Sequence, residues 1–354
     1  MPAIPASGAI SLSDFAAEFG GTAPHSLSEY YRDGGNVPSN NTNVPTSGLF
    51  RFGNMRGAIN AIIQTLSNTT NVDLSTVFGS DWASSIPKEV IIPSGVTIGG
   101  TGSSDALTAP SGMGGTLTIT NAGSVIGFGG TSGGIGGNAI RIASSGITVA
   151  NSGLIAGGGG GGGTGGGGGT GGAGLYDTGV DGSSYYVVNC ASCTPGGCPA
   201  TRPPGSGVCN VNDATGVYNY CNTGSCCMGD CSTRQCYYHC YRPTSGGSGG
   251  AGGAGAVGQG YNQSAGTGSS GNAGSNGTGG TYGSGSGGTG GNGGDGGAYG
   301  VAGSNGSSGS SGSNGYSAGG SAGASGASGG AAGAAVIYTT AYTMNNSGTL
   351  AGAA

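Results

Sequence analysis

The stretch Gly285-Ser286-Gly287-Gly288-Thr289-Gly290-Gly291-Asn292-Gly293-Gly294-Asp295-Gly296-Gly297-Ala298-Tyr299-Gly300-Val301-Ala302-Gly303-Ser304-Asn305-Gly306-Ser307-Ser308-Gly309-Ser310-Ser311-Gly312-Ser313-Asn314-Gly315 carries glycine at every third position. A period of three is neither the 3.6 of an α-helix nor the 2.0 of a strand. It suits an extended left-handed helix with three residues per turn, one face of which is then bare backbone. Helices of this kind can pack backbone to backbone.

The period recurs. Gly127, Gly130, Gly133 and Gly136 keep it, as do Gly246 to Gly258, Gly268 to Gly283 and Gly320 to Gly329. The run Gly157–Gly172 is glycine throughout except at Thr164 and Thr170. Gly/Ser tracts of low complexity commonly serve as flexible linkers. A collagen triple helix would share the period but needs proline-rich intervening positions, and all 13 prolines lie before residue 244. The third reading is a polyglycine-II helix bundle, in which each helix satisfies its backbone groups through its neighbours. In that bundle Gly157–Gly172, bare on all faces, is the central helix. The Gly-x-x runs surround it, with Ser, Asn, Thr and Ala facing water. The period alone fits packing within one chain or between chains.

The totals narrow the function. Glycine makes up 91 of 354 residues, charged residues 6%, and the formal net charge is −5. With no basic patch, nucleic acid is not an expected partner. No run of 18 apolar residues is present, so no membrane span is expected. Residues 1–20 lack Lys, Arg and a continuous apolar run, which does not read as a secretory signal. Yet all ten cysteines fall within one short segment: Cys190, Cys193, Cys198, Cys209, Cys221, Cys226, Cys227, Cys231, Cys236 and Cys240. Such density suits an oxidising environment. A virus particle assembled in cytoplasm and released by lysis reconciles the two. An even count suggests five disulfides of undetermined pairing. Zinc is the rival, with Cys190-x2-Cys193 the one suitable pair and His239 beside Cys240. Either would staple a knob poor in aliphatic residues.

Three repeats organise the rest. Ile4–Phe15 aligns with Val44–Met55, and Ser26-Leu27-Ser28-Glu29-Tyr30 echoes Ser11-Leu12-Ser13-Asp14-Phe15. These read as short strands or turns of a compact module. Met55, Ile59, Ile62 and Leu66 predict an amphipathic helix near 54–67. Val90-Ile91-Ile92-Pro93-Ser94-Gly95-Val96-Thr97-Ile98 reads as two strands about a turn. Leu117–Gly127, Ile147–Gly157 and Tyr342–Gly352 align as strand, Asn-small-Gly turn and short strand. They read as stacked rungs of one β layer. Since the third copy follows the second by almost 200 residues, the glycine tract between them becomes an excursion from a β base.

Catalytic constellations are lacking. Two histidines and scattered acids offer no convergent pair, and the Gly-x-Gly-x-x-Gly matches have no βαβ context. No enzyme, cofactor or metal is expected. Aromatic residues point instead to binding. The six phenylalanines end at Phe128, whereas 14 of the 16 tyrosines follow residue 175. Tyr185, Tyr186, Tyr218, Tyr220, Tyr237, Tyr238 and Tyr241 surround the cysteines. Tyr282, Tyr299 and Tyr316 punctuate the glycine runs at spacings of 17. Tyr among Ser, Gly and Asn is the composition of protein paratopes, and the same rings can stack on sugars. These ten are the candidate receptor-binding residues. Covering disulfides or capping helix ends would be their plainer role.

The glycine runs and Gly157–Gly172 make residues 127–335 resemble the fibre-tip adhesins of tailed bacteriophages. In the small distal adhesins of T-even-type phages, glycine-rich motifs pack as a polyglycine-II sandwich with variable loops that read the host. The pattern Ala9–Phe15, Phe19-Gly20-Gly21 and Ser26–Arg32 is similar to short repeats of phage virion proteins. The N-terminal module and the cysteine-rich insertion depart from those adhesins. The expected fold is mainly β and irregular, with little α-helix. Residues 1–67 form a virion attachment module with a short helix, and 68–156 form a β-rich base of short β-solenoid rungs completed by 336–354. Residues 157–335 form the polyglycine-II-like distal domain, containing a cysteine-rich knob at 175–245. The resemblance implies a tail-fibre or tail-tip protein, on the virion and extracellular after lysis. It would join other tail or fibre proteins through its N-terminal module and bind a host glycan or outer-membrane protein. A homotrimer is favoured, as in fibres. A purely structural fibre, decoration or extracellular glycine-rich protein is the alternative.

Overall fold

The computed structural model describes residues 4–183, 237–279 and 283–354, with backbone alone at 176–183 and 237–243. The chain is mainly β, with short α-helices only at Leu12–Phe19 and Leu74–Phe78 among the described residues. Three parallel sheets dominate. The first holds Ile62–Thr65, Lys88–Ile92, Leu117–Asn121, Ile147–Asn151 and Thr343–Asn346. The second holds Thr69–Thr70, Thr97–Gly99, Ser124–Ile126, Leu154–Ala156 and Thr349–Ala351. Val72–Asp73, Leu107–Ala109, Ile140–Ile142 and Val336–Tyr338 form the third. Each of the first four turns of chain gives one strand to each sheet in succession, and a fifth adds strands to the first two, which is a three-sided parallel β-solenoid.

Alternation explains the sides. Along Leu117–Asn121 and Ile147–Asn151 every second residue is buried, as a strand with one face inward requires. Parallel register then stacks like on like. Val90, Ile119, Val149 and Met344 form one column, and Ile98, Val125, Ile155 and Leu350 another. Leu107, Ile140 and Val336 form the third. Leu74, Phe78 and Trp82 join this core from the first turn. The predicted strand pairs are therefore present, but each repeat spans two sheets rather than forming a rung of one layer. The bend between them is the Asn-small-Gly motif. Asn121 Nδ2 donates to Asn151 Oδ1 at 2.7 Å, and Asn151 Nδ2 to Asn346 Oδ1 at 2.7 Å. This amide ladder pairs Asn121, Asn151 and Asn346 along a buried corner, with Asn121 Oδ1 left without a partner among the described residues at its end.

The corner between the second and third sheets is where chain is inserted. It holds residues 100–106 in the second turn, 127–139 in the third and 157–335 in the fourth. The longest insertion makes six extended passes, near 157–173, 245–260, 265–278, 284–298, 301–315 and 318–335. Their backbone bonds repeat every third residue. Gly159, Gly162, Gly165, Gly168 and Gly171 donate N–H to Gln259, Ala256, Gly253, Gly250 and Gly247. Gly160, Gly163, Gly166, Gly169 and Gly172 donate to Val301, Ser304, Ser307, Ser310 and Ser313 at 2.9–3.0 Å. The carbonyls of the latter set accept from Gly297, Gly294, Gly291, Gly288 and Gly285, while 321–333 donates to those of 158–170. Gly157–Gly172 is thus hydrogen-bonded to neighbours on every side but one flank, which is open beyond Gly162, and these bonds close within one chain. The runs are a bonded lattice and not linkers.

Two exceptions in the central pass have a cause. The short excursion 127–137 lies beside it, with Gly130 and Gly133 donating to Gly159 and Gly162, and turns back at Thr131–Gly134. Beyond that turn the flank is open. Thr164 and Thr170 are the exposed residues of the pass, and they follow each other at two periods on this flank.

The N-terminal module has its own core of Ile4, Phe15, Phe19, Tyr30, Val37, Val44, Met55 and Ala58. The sequence echoes become three related helical turns. Ser11 N–H donates to Asp14 Oδ2 at 2.6 Å, Ser26 N–H to Glu29 Oε1 at 3.0 Å and Arg51 N–H to Asn54 Oδ1 at 2.9 Å. Each is the backbone half of a capping box. The residue after each capping side chain, Phe15, Tyr30 or Met55, is fully buried. Phe15 meets Tyr30, Phe50 and Phe52 with ring centroids 5.8, 6.3 and 5.1 Å away. The helix expected over 54–67 is absent. Met55 belongs to the last capped turn and the module's core, whereas Ile62 opens the solenoid. Its apolar spacing came from two cores meeting along the chain.

Two outcomes are expected. A Cβ at Gly163 or Gly166 would sit 2.0 or 1.9 Å from the carbonyl oxygen of Ala327 or Ala324, whereas at Gly167 the nearest atom is 3.8 Å away. Gly166→Ala should therefore cost at least about 3 kcal/mol in denaturant unfolding, and Gly167→Ala should be neutral or stabilising by about 0.5 kcal/mol. Equal effects would contradict the packing. The second concerns acid. Hydrogen bonds from the Ser11 side chain and backbone hold Asp14 below its ordinary value of 3.8, and the Ser26 N–H does so for Glu29 below 4.5. Their stabilisation is present above those ordinary values and lost as pH falls through the lowered ones. Between residues 245 and 335 the chain carries one charge, Asp295. Amide exchange compared between about pH 7 and about pH 2, after correction for intrinsic rates, should show protection falling in 4–58 while 157–172 stays protected.

Candidate functional site

The passes alternate in direction, so their connections gather at two ends. One end lies against the solenoid. There Gly300 donates to Gly157 at 2.8 Å, Gly157 to Ala351 at 2.9 Å and Tyr261 to Gly127 at 3.0 Å. The other end is remote from it and collects residues 173–175, 244–245, 278–279, 283–284 and 315–318. Ser317 N–H and hydroxyl both donate to the Ala173 carbonyl, at 3.0 and 2.9 Å. Tyr316 N–H donates to Gly283 at 3.1 Å and Thr278 N–H to Ser245 at 3.0 Å. The Ser284 hydroxyl donates to the Thr278 carbonyl. The remote connections are therefore stitched into one surface. From it an antiparallel ribbon projects, Gly174–Ser183 paired with Tyr237–Thr244, at whose root Leu175 is buried.

The sequence candidates divide between the ends. Tyr316, 65% exposed, lies on the remote turn. Tyr237, Tyr238 and Tyr241 lie on the returning strand of the ribbon, paired with Ser183, Gly182 and Asp177. Cys240 shares that strand. Tyr299 is at the opposite end, its N–H donating to Gln259 Oε1 at 3.3 Å. The spacing of 17 between Tyr299 and Tyr316 thus measures one pass and puts the two at opposite ends. Tyr185, Tyr186, Tyr218, Tyr220 and Tyr282 lie outside the described residues. So do Cys190, Cys193, Cys198, Cys209, Cys221, Cys226, Cys227, Cys231 and Cys236, and with them the choice between disulfides and zinc. Among the described residues no three potential metal ligands cluster, and no helix is long and apolar enough to cross a membrane.

The lattice surface that carries these turns is nearly uncharged. Its serines and amides act on the backbone. Ser307, Ser310 and Ser313 hydroxyls accept the N–H groups of Asn292, Thr289 and Ser286 at 2.7 Å. Asn305 and Asn314 accept from Gly329 and Gly320 at 3.0 Å. Sequence reading assigned these side chains to water alone. The signal was present, because Ser304, Ser307, Ser310 and Ser313 keep the glycine period one position later. Asp295 likewise accepts from Gly268 N–H at 2.9 Å. Away from both ends, Tyr338 and Tyr342 pack at 5.1 Å on the last solenoid turn, where burial raises the Tyr342 hydroxyl above its ordinary value.

The arm is nearly uncharged, and its remote end carries the exposed Tyr316. Residues 59–230 match the model of a protein family described as phage tail fibre adhesin Gp38. That match shows the resemblance drawn from the glycine runs, and it begins three residues before the first solenoid strand, leaving the N-terminal module outside it. Among solved structures, the gp37–gp38 adhesin tip complex of the bacteriophage S16 long tail fibre is similar, at 16% identity and a TM-score of 0.37. That alignment covers 98% of this chain and 99% of that one. No curated protein matches.

Proposed function

We propose that this protein is a receptor-binding adhesin of a phage tail fibre, carried on the virion, whose remote surface contacts a glycan or outer-membrane protein of the host. The observation that carries this reading is the delivery of the Tyr316 turn and the ribbon to one end of a bonded arm. The adhesin family match over 59–230 supports it. The arm itself is a polyglycine-II bundle in this reading, supported by hydrogen bonds that recur every third residue to neighbours on all sides. Such a scaffold presents its loops already ordered, so binding loses little conformational entropy. The segment between the ribbon strands, which carries nine of the ten cysteines, takes part in that contact. Residues 1–67 mount the protein on other fibre components. Lattice bonds close within one chain, so a trimer need not be built through them. The protein binds and does not turn over its receptor.

A purely structural fibre protein is the second reading, favoured by how fully the arm satisfies itself. Replacing 184–236 with a short Gly-Ser linker separates the two. Virions should assemble with the altered chain, and the adsorption rate to host cells should fall about tenfold or more. Unchanged adsorption together with unchanged adsorption of a Tyr316→Ala virion would establish the structural reading.

A further inference from the structure

A cavity of about 530 Å³ lies where the glycine arm meets the solenoid, at the end opposite the proposed receptor surface. Asn68, Thr97 and Ile126 wall it from the solenoid side, and Gln259, Tyr261, Gln263 and Tyr299 from the first two near-end turns. We propose that this cavity is a second binding site, for an uncharged saccharide of one or two rings.

The argument begins with what fixes the walls. The Tyr261 ring lies over Gly99, so closely that a Cβ there would fall 2.2 Å from its Cγ. Gly99 thus lets an aromatic face pack on the second sheet. The turn that presents the ring is locked by reciprocal bonds between Gly260 and Gln263, at 2.9 and 3.0 Å, and holds Asn262 in the left-handed region, φ 52°. Asn takes that region with little strain, so the reciprocal Gly260–Gln263 bonds are what fix the turn. The amide orientations are also set. Asn68 Oδ1 accepts Thr97 N–H at 2.7 Å, and Gln259 Oε1 accepts Tyr299 N–H at 3.3 Å. Both amides therefore keep their NH2 groups as donors.

The chemistry of the lining selects the ligand. It contains no Lys, Arg, His, Asp or Glu. A charged ligand would find no counter-ion. An apolar one would cover amide and hydroxyl groups without partners, which is costly. A sugar ring has C–H faces for the two tyrosines and hydroxyls for the Asn and Gln amides. The volume also falls within the range of small-molecule sites. This site is independent of the remote surface and does not rest on it.

Saturation-transfer NMR and calorimetry on the full chain provide the test, with neutral gluco-, galacto- and manno-configured disaccharides as probes and a uronic-acid disaccharide for comparison. At least one neutral probe should bind with Kd near or below about 1 mM. Tyr299→Ala and Gln263→Ala should each weaken it at least about fivefold, while Tyr316→Ala leaves it unchanged. Thermal unfolding of each variant, compared with the parent chain, separates lost binding from lost fold. No binding of any neutral probe by the parent chain overturns the proposal. So does binding that folded Tyr299→Ala and Gln263→Ala chains retain, or a clear preference for the uronic acid. None of these results bears on adsorption through the remote end.

Discussion

The whole arm depends on one constraint: a peptide group must find its hydrogen-bond partner on another segment at about 2.8 Å, with nothing between. In an α-helix or a strand side chains stand clear of the bonding direction. Here the bonds radiate on every side of the central pass except the open flank of Thr164, Gly167 and Thr170, so nearly every side is a bonding side. A methyl group at almost any glycine from 157 to 172 would land about 2 Å from a neighbouring carbonyl. Glycine loses more conformational freedom on ordering than other residues. The lattice offsets that cost with satisfied backbone groups rather than with buried aliphatics. Its stiffness therefore comes from the residue usually associated with floppiness.

The solenoid gives the lattice its starting register. Ser124–Ile126 lies parallel to Leu154–Ala156, and the ladder does not stop where the strands do. Gly127 donates to Ala156, Gly130 to Gly159 and Gly133 to Gly162, at 2.7–2.8 Å. The same two segments pass from a side-chain period of two to a bonding period of three at Ile126–Gly127 and Ala156–Gly157. Aliphatic columns hold the first part in register, and glycine removes the bulk that would force the second part apart. A bundle of short uncharged segments, whose period permits slippage by three residues, is thereby anchored at one defined position.

Much of this was legible in the sequence because it is periodic. The glycine period named the lattice, the all-glycine run its centre, and the repeated Asn-small-Gly rungs the base to which the chain returns. What escaped reading was non-local. Nothing in Leu117–Gly127 says that its two strands belong to different sheets, since alternation looks the same around a corner. The apolar spacing of Met55, Ile59, Ile62 and Leu66 imitated a helix because two separate cores meet there. The capped turns were visible as Ser-x-x-acid echoes, yet reading them as short strands or turns missed the helix Leu12–Phe19. At the candidate site the spacing of 17 between Tyr299 and Tyr316 was visible in the sequence. It could not show that successive loops face opposite ways, because that follows from antiparallel passes of one repeat length.

The separation of lattice from connections bears on what such a protein can tolerate. Each pass is held by bonds to neighbours along its length, so its register owes little to the segment that joins it to the next. The connections differ widely on one scaffold: the remote turn 315–318 has four residues, whereas the insertion opened by Gly174 and closed by Thr244 is many times longer. Loop-closure entropy grows so slowly that four doublings in length cost only about 2.4 kcal/mol. That is small beside the bonds along a single pass. Connections at both ends can consequently change in length and composition while the glycines cannot. The remote surface is built from connections, and so is the arm-side wall of the cavity at the root, which faces the fixed strands of Thr97 and Ile126; both therefore include parts of the molecule free to diverge.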